Sequence, residues 1–369
     1  MANDKQAKVP FYIGAKQRLV DDSLMNGGKL NPFSPDTTSN IQLRKVGLTM
    51  GLLLRITVTA TLGAGVPVLN EEGLYSLIKR MQVIIGNQNA QPIDLDAAGL
   101  KAVQRNFGHY GFAGFDVPAK GKVITNPNLY NAPIVASAAN SWVFTCWIPF
   151  SANMHKDRHL GVLPTSSRGF TANLVIDWEK TANIISGVTC AFSNSTVELQ
   201  AYTLDTPDYS QVERPSFFVI SRKSTKEGSV LNGANVKEIL QGGRVLALSS
   251  ILRVNGSRSN EIDRINIRLA GSNMPLEQRL WQNQADYERR TGCSLGAGEW
   301  NMNFMDSFNE GFSGLPRDTI DTGSVGLTEI VTTVNSAGLG ANPSLNTIEY
   351  VQTTLHAINV SQETENAAA

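Results

Sequence analysis

The sequence is poor in charge, and its charges balance. Lys and Arg together number 32, Asp and Glu together number 32, and charged residues make up only 17% of the 369 residues. Dedicated nucleic-acid-binding proteins are usually basic overall, so the balance disfavours that class and predicts no sequence-specific nucleic-acid partner. A charged share below the usual ~25% also suggests that part of the surface is covered by other subunits.

Cysteine is scarce as well. Cys146, Cys190 and Cys293 are odd in number, lie far apart and form no Cys-x-x-Cys motif. This spacing predicts reduced thiols in a reducing cytoplasm, and neither a disulfide framework nor a metal site. Met1–Lys5 contains no apolar run, so we expect no secretory signal.

Long hydrophobic runs are missing too. The best candidate, 47–69, contains Arg55 and Pro67 and alternates between apolar and polar residues after Arg55. A membrane-spanning helix needs about 20 consecutive apolar residues. The alternation instead predicts a buried strand.

Recognisable catalytic motifs are also lacking. His155 and His159 are four residues apart, but Lys156 stands where a zinc protease has its glutamate. There is no phosphate-binding or dinucleotide-binding glycine pattern and no Gly-x-Ser-x-Gly elbow. Acidic pairs such as Glu71-Glu72 are expected in turns, and Asp94 is expected to cap a helix. The sequence therefore predicts no catalytic residues, no metal and no cofactor.

One aromatic segment has two interpretations. In 141–150, Trp142 and Phe144 share one face of a predicted strand and Trp147 lies on the other. Such a surface could stack sugars or bases. Packing in a core is the favoured interpretation.

What the sequence does contain is an internal repeat. Thr196–Leu204 is echoed by Thr347–Leu355, and 80–87 is echoed by 264–271. A shorter pair, Leu54-Arg55-Ile56 and Leu252-Arg253-Val254, precedes them, and the order is the same in both halves. The repeat predicts two similar β-domains in tandem.

Strand patterns dominate the chain after residue 41, and two segments are predicted to be helical. These are 94–107 and 276–290, each following an echoed strand. Short strands without alternating helices are typical of β-sandwiches. The predicted organisation is an N-terminal helix and linker arm at 1–40, domains at 41–207 and 208–360, and a C-terminal tail at 361–369.

The leader has apolar residues at helical spacing. Tyr12, Leu19 and Leu24 follow this spacing, and Gly27-Gly28 would end the helix. The helix could dock on its own subunit or reach a neighbour or a membrane surface. The candidate arm residues that face an assembly partner or a membrane are Phe11, Tyr12, Lys16, Leu19 and Leu24. On this basis, deleting residues 2–30 would leave both domains folded with a nearly unchanged melting temperature, but would impair assembly or attachment to vesicles.

Three segments carry a resemblance to a known family. They are Gly51–Val58, the aromatic strand Ser141–Phe150, and Leu163–Ser167 followed by Ala172–Trp178. Taken in this order, and with the repeat, the chain resembles the double jelly-roll major capsid proteins of tailless icosahedral viruses. The tectivirus-type phages, which have an internal membrane, are the most similar group.

The resemblance implies a fold and a function. The expected fold is all-β, with two tandem eight-stranded jelly-roll β-sandwiches, each with a flanking helix, plus a short N-terminal helix. The expected function is structural and non-enzymatic: a homotrimer that forms pseudo-hexagonal capsomers of an icosahedral virion, assembled in the host cytoplasm. The implied partners are neighbouring trimers, penton and minor capsid proteins, and the internal viral membrane.

Two other functions stay open at this stage. One is a spike-type β-sandwich that binds a receptor or a carbohydrate, which would need an exposed aromatic surface. The other is a glycan-active enzyme on a jelly-roll scaffold, which would need a cleft with paired carboxylates.

Overall fold

Strands make up most of the structure, a computed structural model. It describes residues 9–10, 17–21, 32–86, 90–107, 118–119, 122–123, 134–151, 161–166, 170–205, 212–213, 218–239, 243–269, 272–291, 294–304, 320–322, 327–340 and 343–357.

The first half of the chain forms one β-sandwich. Its elements are β1 Val9–Pro10, β2 Gln17–Asp21, β3 Thr38–Gln42, β4 Leu48–Leu62, β5 Val68–Leu69, β6 Ile78–Ile85, β7 Ala90–Leu95, α1 Ala97–Phe107, β8 Pro118–Ala119, β9 Lys122–Val123, β10 Ala139–Pro149, β11 Ala172–Trp178, α2 Thr181–Ile184, β12 Ile185–Ser186 and β13 Cys190–Leu204, with a 3-10 turn at Gly73–Leu77. One sheet has the order β10-β4-β13-β2, and the other contains β3, β11, β6 and β7 side by side.

The second half repeats this plan. Its elements are β14 Val212–Glu213, β15 Phe218–Gly228, β16 Gly233–Glu238, β17 Arg244–Val254, β18 Ser257–Arg258, β19 Ile262–Leu269, β20 Ser272–Arg279, α3 Leu280–Thr291, β21 Glu299–Asn303, β22 Ile320–Asp321, β23 Thr328–Val334 and β24 Thr347–Ala357, with 3-10 turns at Ala337–Gly340 and Pro343–Leu345. One sheet places β17 between β24 and β21, with β15 beyond β24, and the other has the order β16-β23-β19-β20.

Buried and exposed side chains alternate along β4, a core strand. In β4, Leu52, Leu54, Ile56 and Val58 are fully buried, and Arg55 between them is exposed. A strand with one buried face has this two-residue period. The segment 47–69 is therefore mainly a core strand, as predicted, and within the described residues no helix is long and apolar enough to cross a membrane.

The echoed segments occupy equivalent places in the two halves. β13 carries the first copy and lies between β4 and β2, while β24 carries the second copy and lies between β17 and β15. β6 and β19 each form a hairpin with a strand that leads into a helix. The predicted tandem of two sandwiches, each with a flanking helix, is confirmed.

An ion pair on the echoed strands is repeated as well. Arg55 on β4 lies 3.3 Å from Glu198 on β13, and Arg253 on β17 lies 2.9 Å from Glu349 on β24. These residues occupy matching positions in the sequence echo.

A second repeated ion pair joins the hairpins. Arg80 on β6 lies 2.7 Å from Asp94 on β7, and Arg264 on β19 lies 2.9 Å from Glu277 on β20. The hairpins therefore share an equivalent ion pair as well as their topology.

Both predicted helices begin later than expected. Asp94 belongs to β7, and α1 begins at Ala97, where the carboxylate of Asp96 accepts a hydrogen bond of 2.9 Å from the Gly99 N–H. The cap is therefore Asp96, and the assignment to Asp94 was wrong. The start of the second helix, predicted at residue 276, also lies in a strand, because β20 continues to Arg279.

The predicted N-terminal helix is corrected. Gln17–Asp21, in the middle of the predicted helix, is a strand that pairs antiparallel with β13, Leu19 opposite Tyr202. The physical reason is the edge of β13, which offers backbone hydrogen bonds that a short isolated helix cannot match. Val20 packs against the core of the first sandwich.

The predicted domain boundaries have different outcomes. β3 crosses the boundary at 40/41, and Phe33 is buried against Trp178, so the first sandwich includes residues before 41. The boundaries at 207/208 and 360/361 lie outside the described residues and stay predictions.

Candidate functional site: the charged interface between the two halves

The two halves are joined by a continuous sheet. β15 of the second half runs parallel to β7 of the first, with Arg222 opposite Ile93. Close by, the backbone N–H of Asp96 donates a 3.0 Å hydrogen bond to the Ser224 hydroxyl. A Cβ on Gly99 would lie 3.0 Å from Cβ of Ser224, so a glycine here lets α1 approach β15 closely.

Glu72 is the centre of a charged cluster at this interface. Its carboxylate lies 2.7 Å from Arg253 and 2.6 Å from Arg258, both in the second half, and 3.3 Å from Lys101 on α1. The Glu72 side chain is 5% exposed. A buried carboxylate is stable only when opposite charges and hydrogen bonds replace its hydration, and three cations do so here.

Two further carboxylates complete the cluster. Glu299 on β21 pairs with Arg105 on α1 and lies 2.9 Å from Arg258. Glu349 on β24 pairs with Arg253. The cluster therefore ties α1 and the turn that contains Glu72 to four strands of the second half, β17, β18, β21 and β24.

The neighbouring cations lower the pKa values of two of these three carboxyl groups. Burial alone would raise the pKa of Glu72, but Arg258, Lys101 and Arg253 outweigh it and lower the pKa to about 2. Burial also opposes ionisation of Glu299, where Arg105 and Arg258 lower the pKa to about 2. Both groups stay ionised at neutral pH.

Glu349 behaves in the opposite way. Burial and the neighbouring Asp96 raise the pKa of Glu349 well above its ordinary value, against the attraction of Arg253. Two carboxyl groups close together cannot both ionise easily in a buried place.

We expect acid to weaken this interface. Because the pKa values of Glu72 and Glu299 are lower in the folded chain than the ordinary 4.5, their stabilisation is present above 4.5 and is lost as the pH falls towards about 2. Glu349 opposes this, since its stabilisation is lost as the pH rises through its raised pKa. Urea unfolding measured from about pH 5 to about pH 3 should therefore show falling stability, and the decline should be shallower in the Glu72→Gln variant. Equal slopes in both proteins would contradict the assignment to Glu72.

An interdomain cavity of ≈ 550 Å³ lies beside the cluster, with Asp96, Arg253 and Glu349 in its wall. Paired carboxylates in a cleft are the feature that a glycan-active enzyme would need. Here Asp96 caps α1, and Glu349 is held by Arg253. Both carboxyls thus have structural partners, and the arrangement is suited to joining the halves.

The aromatic segment is part of the core. Trp142 and Phe144 are buried, and Trp147 packs edge-on against Tyr202 at 5.0 Å between ring centroids. This confirms the favoured interpretation and leaves no exposed aromatic surface on β10 for a carbohydrate.

Only one of the predicted arm residues lies in the described part of the chain. Leu19 lies in β2, whereas Phe11, Tyr12, Lys16 and Leu24 lie outside the described residues, as do His155 and His159. In the described part of the chain, no group of three His, Cys, Asp or Glu residues could hold a metal ion. Cys146 and Cys190 are free thiols, and Cys293 is outside the described ranges.

Sequence reasoning missed the charged cluster. It placed Glu71-Glu72 in a turn, which gives no sign of burial. One signal was available: Arg253 belongs to an echoed segment, and its counterpart is Arg55. The partner in the other half, Glu72, is 181 residues away along the chain, and no local pattern connects the two.

The chain matches known proteins at the level of structure. No protein-family model matches the sequence, and no curated protein matches it. A chain from the atomic structure of Sulfolobus Turreted Icosahedral Virus matches with a TM-score of 0.68 at 9% identity, covering 95% of this chain and 96% of that one. The PBCV-1 virus capsid matches with a TM-score of 0.59 at 11% identity, covering 92% and 93%.

A third match is the major capsid protein of Bacteriophage PM2, with a TM-score of 0.54 at 11% identity, covering 94% of this chain and 99% of that one. At such low identity the likeness concerns the fold. Because the alignments span both halves, the fold of this chain is the double jelly roll, as the sequence resemblance implied.

Proposed function

We propose that this chain is a viral major capsid protein, three copies of which form a pseudo-hexagonal capsomer of an icosahedral shell. The observation that carries the proposal is the pair of jelly rolls fixed side by side, a plan shared over more than nine-tenths of the chain with viral capsid proteins. A structural, non-enzymatic role follows from it.

The physical properties of the chain suit this role. Pairing of β7 with β15 at Ile93 and Asp94, together with a buried charge cluster, makes the two sandwiches one wide block. Stable assemblies of such blocks bury about 2,000 Å² or more at each interface, with few charges at the centre. A chain with 17% charged residues can supply such surfaces.

The proposal extends to location and partners. We place the protein in the virion capsid, assembled in the host cytoplasm, and the free thiols of Cys146 and Cys190 suit a reducing compartment. Penton and minor capsid proteins would complete the shell, and an internal membrane would lie beneath it. The arm residues Phe11, Tyr12, Lys16, Leu19 and Leu24 are proposed to face that membrane or a neighbouring subunit.

Native mass measurement and electron microscopy test the proposal together. The full-length chain at micromolar concentration should have a mass of three subunits, and concentrated samples should form hexagonal sheets or shells. A monodisperse monomer under these conditions would contradict the proposal, because an obligate trimer should not dissociate there.

A further inference from the structure

The interface inside the chain joins two unlike surfaces. The first half contributes α1 and the outer edge of β7, here called the helix face. The second half contributes β15, β24 and β17, here called the strand face. Because both halves follow the same plan, the chain contains each face twice. One copy of each face lies in the interface between the halves, and the other copy lies on the outside of the chain.

The second helix face is uncovered. Asp94 and Glu277 are equivalent, since each pairs with the matching arginine of its hairpin, and each helix begins three residues later. Trp281 therefore corresponds to Ala98. Ala98 is 2% exposed, whereas Trp281 is 63% exposed. Trp281 therefore exposes a large apolar side chain to solvent, at the position where the first half buries Ala98 against the second half.

The neighbouring positions on the two helices agree with this. Gly99 and Ala102 on α1 are buried, whereas their counterparts Gln282 and Ala285 on α3 are exposed. The uncovered area is therefore a continuous strip of the helix, and it matches the strip that α1 buries.

The second strand face is uncovered in the same way. The side chains of Arg253 and Glu349, next to the first half, are 14% and 1% exposed. The equivalent Arg55 and Glu198 side chains are 54% and 53% exposed. The same ion pair is thus buried in one half and open in the other.

The backbone edges of the sheets show the same difference: one pair of edges is in contact and the equivalent pair is open. β7 and β15 pair with each other, but their counterparts β20 and β2 are the outermost strands of their sheets within the described residues. An outermost strand presents N–H and C=O groups that can pair with another chain.

We propose that the outer helix face of one copy, formed by α3 and β20, binds the outer strand face of a second copy, formed by β2, β13 and β4. This contact repeats between chains the interface that already exists within the chain. It is heterologous, so it generates a closed ring when the rotation between successive copies closes, as in the proposed trimer, and an open filament otherwise. That the ring has three members rests on the proposed function; the surfaces themselves follow from the internal repeat.

The repeat also gives the register of the contact. Lys223 on β15 lies opposite Asp94 on β7 and opposite Gln352 on β24. Val20 on β2 lies opposite Ala201 on β13, and Ala201 is the counterpart of Gln352 in the echo. Glu277 is the counterpart of Asp94. Val20 of one copy should therefore lie opposite Glu277 of the next, with β2 and β20 parallel.

Disulfide trapping between two differently tagged, co-expressed full-length chains tests this register. One chain carries Val20→Cys and the other Glu277→Cys, and a mild oxidant is added to the purified assembly. Directly opposed strand residues are close enough for a disulfide, so a covalent hetero-dimer should form. The control replaces Glu277→Cys by Glu238→Cys, which is exposed on β16 at the opposite edge of the same sheet. This control and the unmodified chain should give no such dimer.

A second measurement examines the helix face without added thiols. Trp281→Ser should weaken self-association at least about tenfold, as is typical of a buried tryptophan at an interface centre. The control is Val236→Ser, since Val236 is 52% exposed but lies on β16. It should change association less than about twofold.

The outcomes separate the two proposals. A native trimer that shows neither the cross-link nor the effect of Trp281→Ser overturns the inferred contact and leaves the proposed function standing. A wild-type chain that is monomeric overturns the proposed function. A cross-link obtained equally well through residue 238 overturns the register.

Discussion

Replacing Glu72 by glutamine is expected to lower the free energy of unfolding by about 3–5 kcal/mol, the usual cost of breaking a buried ion pair. Arg253, Arg258 and Lys101 would each lose their shared carboxylate while staying buried. Glutamine keeps the shape of the side chain, so the loss reports the charge. Urea unfolding followed by tryptophan fluorescence at neutral pH measures it.

The chain offers a matched control in Glu198→Gln. Glu198 pairs with Arg55 through the same echoed strands that carry Glu349 and Arg253, but the side chains of Glu198 and Arg55 are both half exposed. Exposed pairs contribute only about 0–1 kcal/mol. If Glu72→Gln costs no more than Glu198→Gln, the cluster does not hold the halves together.

A further variant separates charge from packing. Adding Lys101→Met to Glu72→Gln removes one of the cations left without its carboxylate. Because the ammonium group is buried, its removal should restore part of the lost stability. An additive loss in the double variant would mean that Lys101 does not depend on Glu72.

The sequence was sufficient to predict the two sandwiches. Several of the strands alternate between buried and outward residues over part of their length, as in β19, where Ile265 and Ile267 are buried. Such a pattern depends on local sequence, and so does its repetition. The resemblance to capsid proteins rested on the order of three segments in the first half together with the repeat.

The helix boundaries were harder to predict. Ile93 and Leu95 alternate as in a strand, but Leu95, Ala98 and Ala102 also fit a helical face. What makes Ala90–Leu95 a strand is its two neighbours, β6 in the first half and β15 in the second. The second neighbour lies more than 120 residues further along the chain, and single-sequence periodicity cannot include it.

An echo at the same place was overlooked. Pro92-Ile93-Asp94 matches Pro275-Leu276-Glu277, and each segment leads into the helix of its half. Recognising it would have placed both stretches in strands. It would also have related α1 to α3 residue by residue, which is the step that identifies Trp281 as an exposed counterpart of a buried alanine.

Deleting residues 2–30 is expected to abolish self-association and to destabilise the first sandwich by about 2–4 kcal/mol, through lost edge hydrogen bonds and the lost burial of Val20. This replaces the expectation from sequence that both domains would be unaffected. The change follows from β2, which pairs along five residues with β13 and is the strand through which the next copy is proposed to bind.

The matched control for this deletion is a shorter truncation that removes residues 2–8 and leaves β2 in place. It should keep both the melting temperature and the oligomeric state of the full chain. In the longer deletion the edge of β13 becomes open, and an open edge invites non-specific pairing, so light scattering should be recorded with the melting curve. A protein lacking residues 2–30 that melts like the full chain and still assembles would mean that β2 neither completes the sheet nor joins the subunits. If it melts lower but assembles normally, the strand belongs to the fold alone, and the contact between copies must be sought elsewhere.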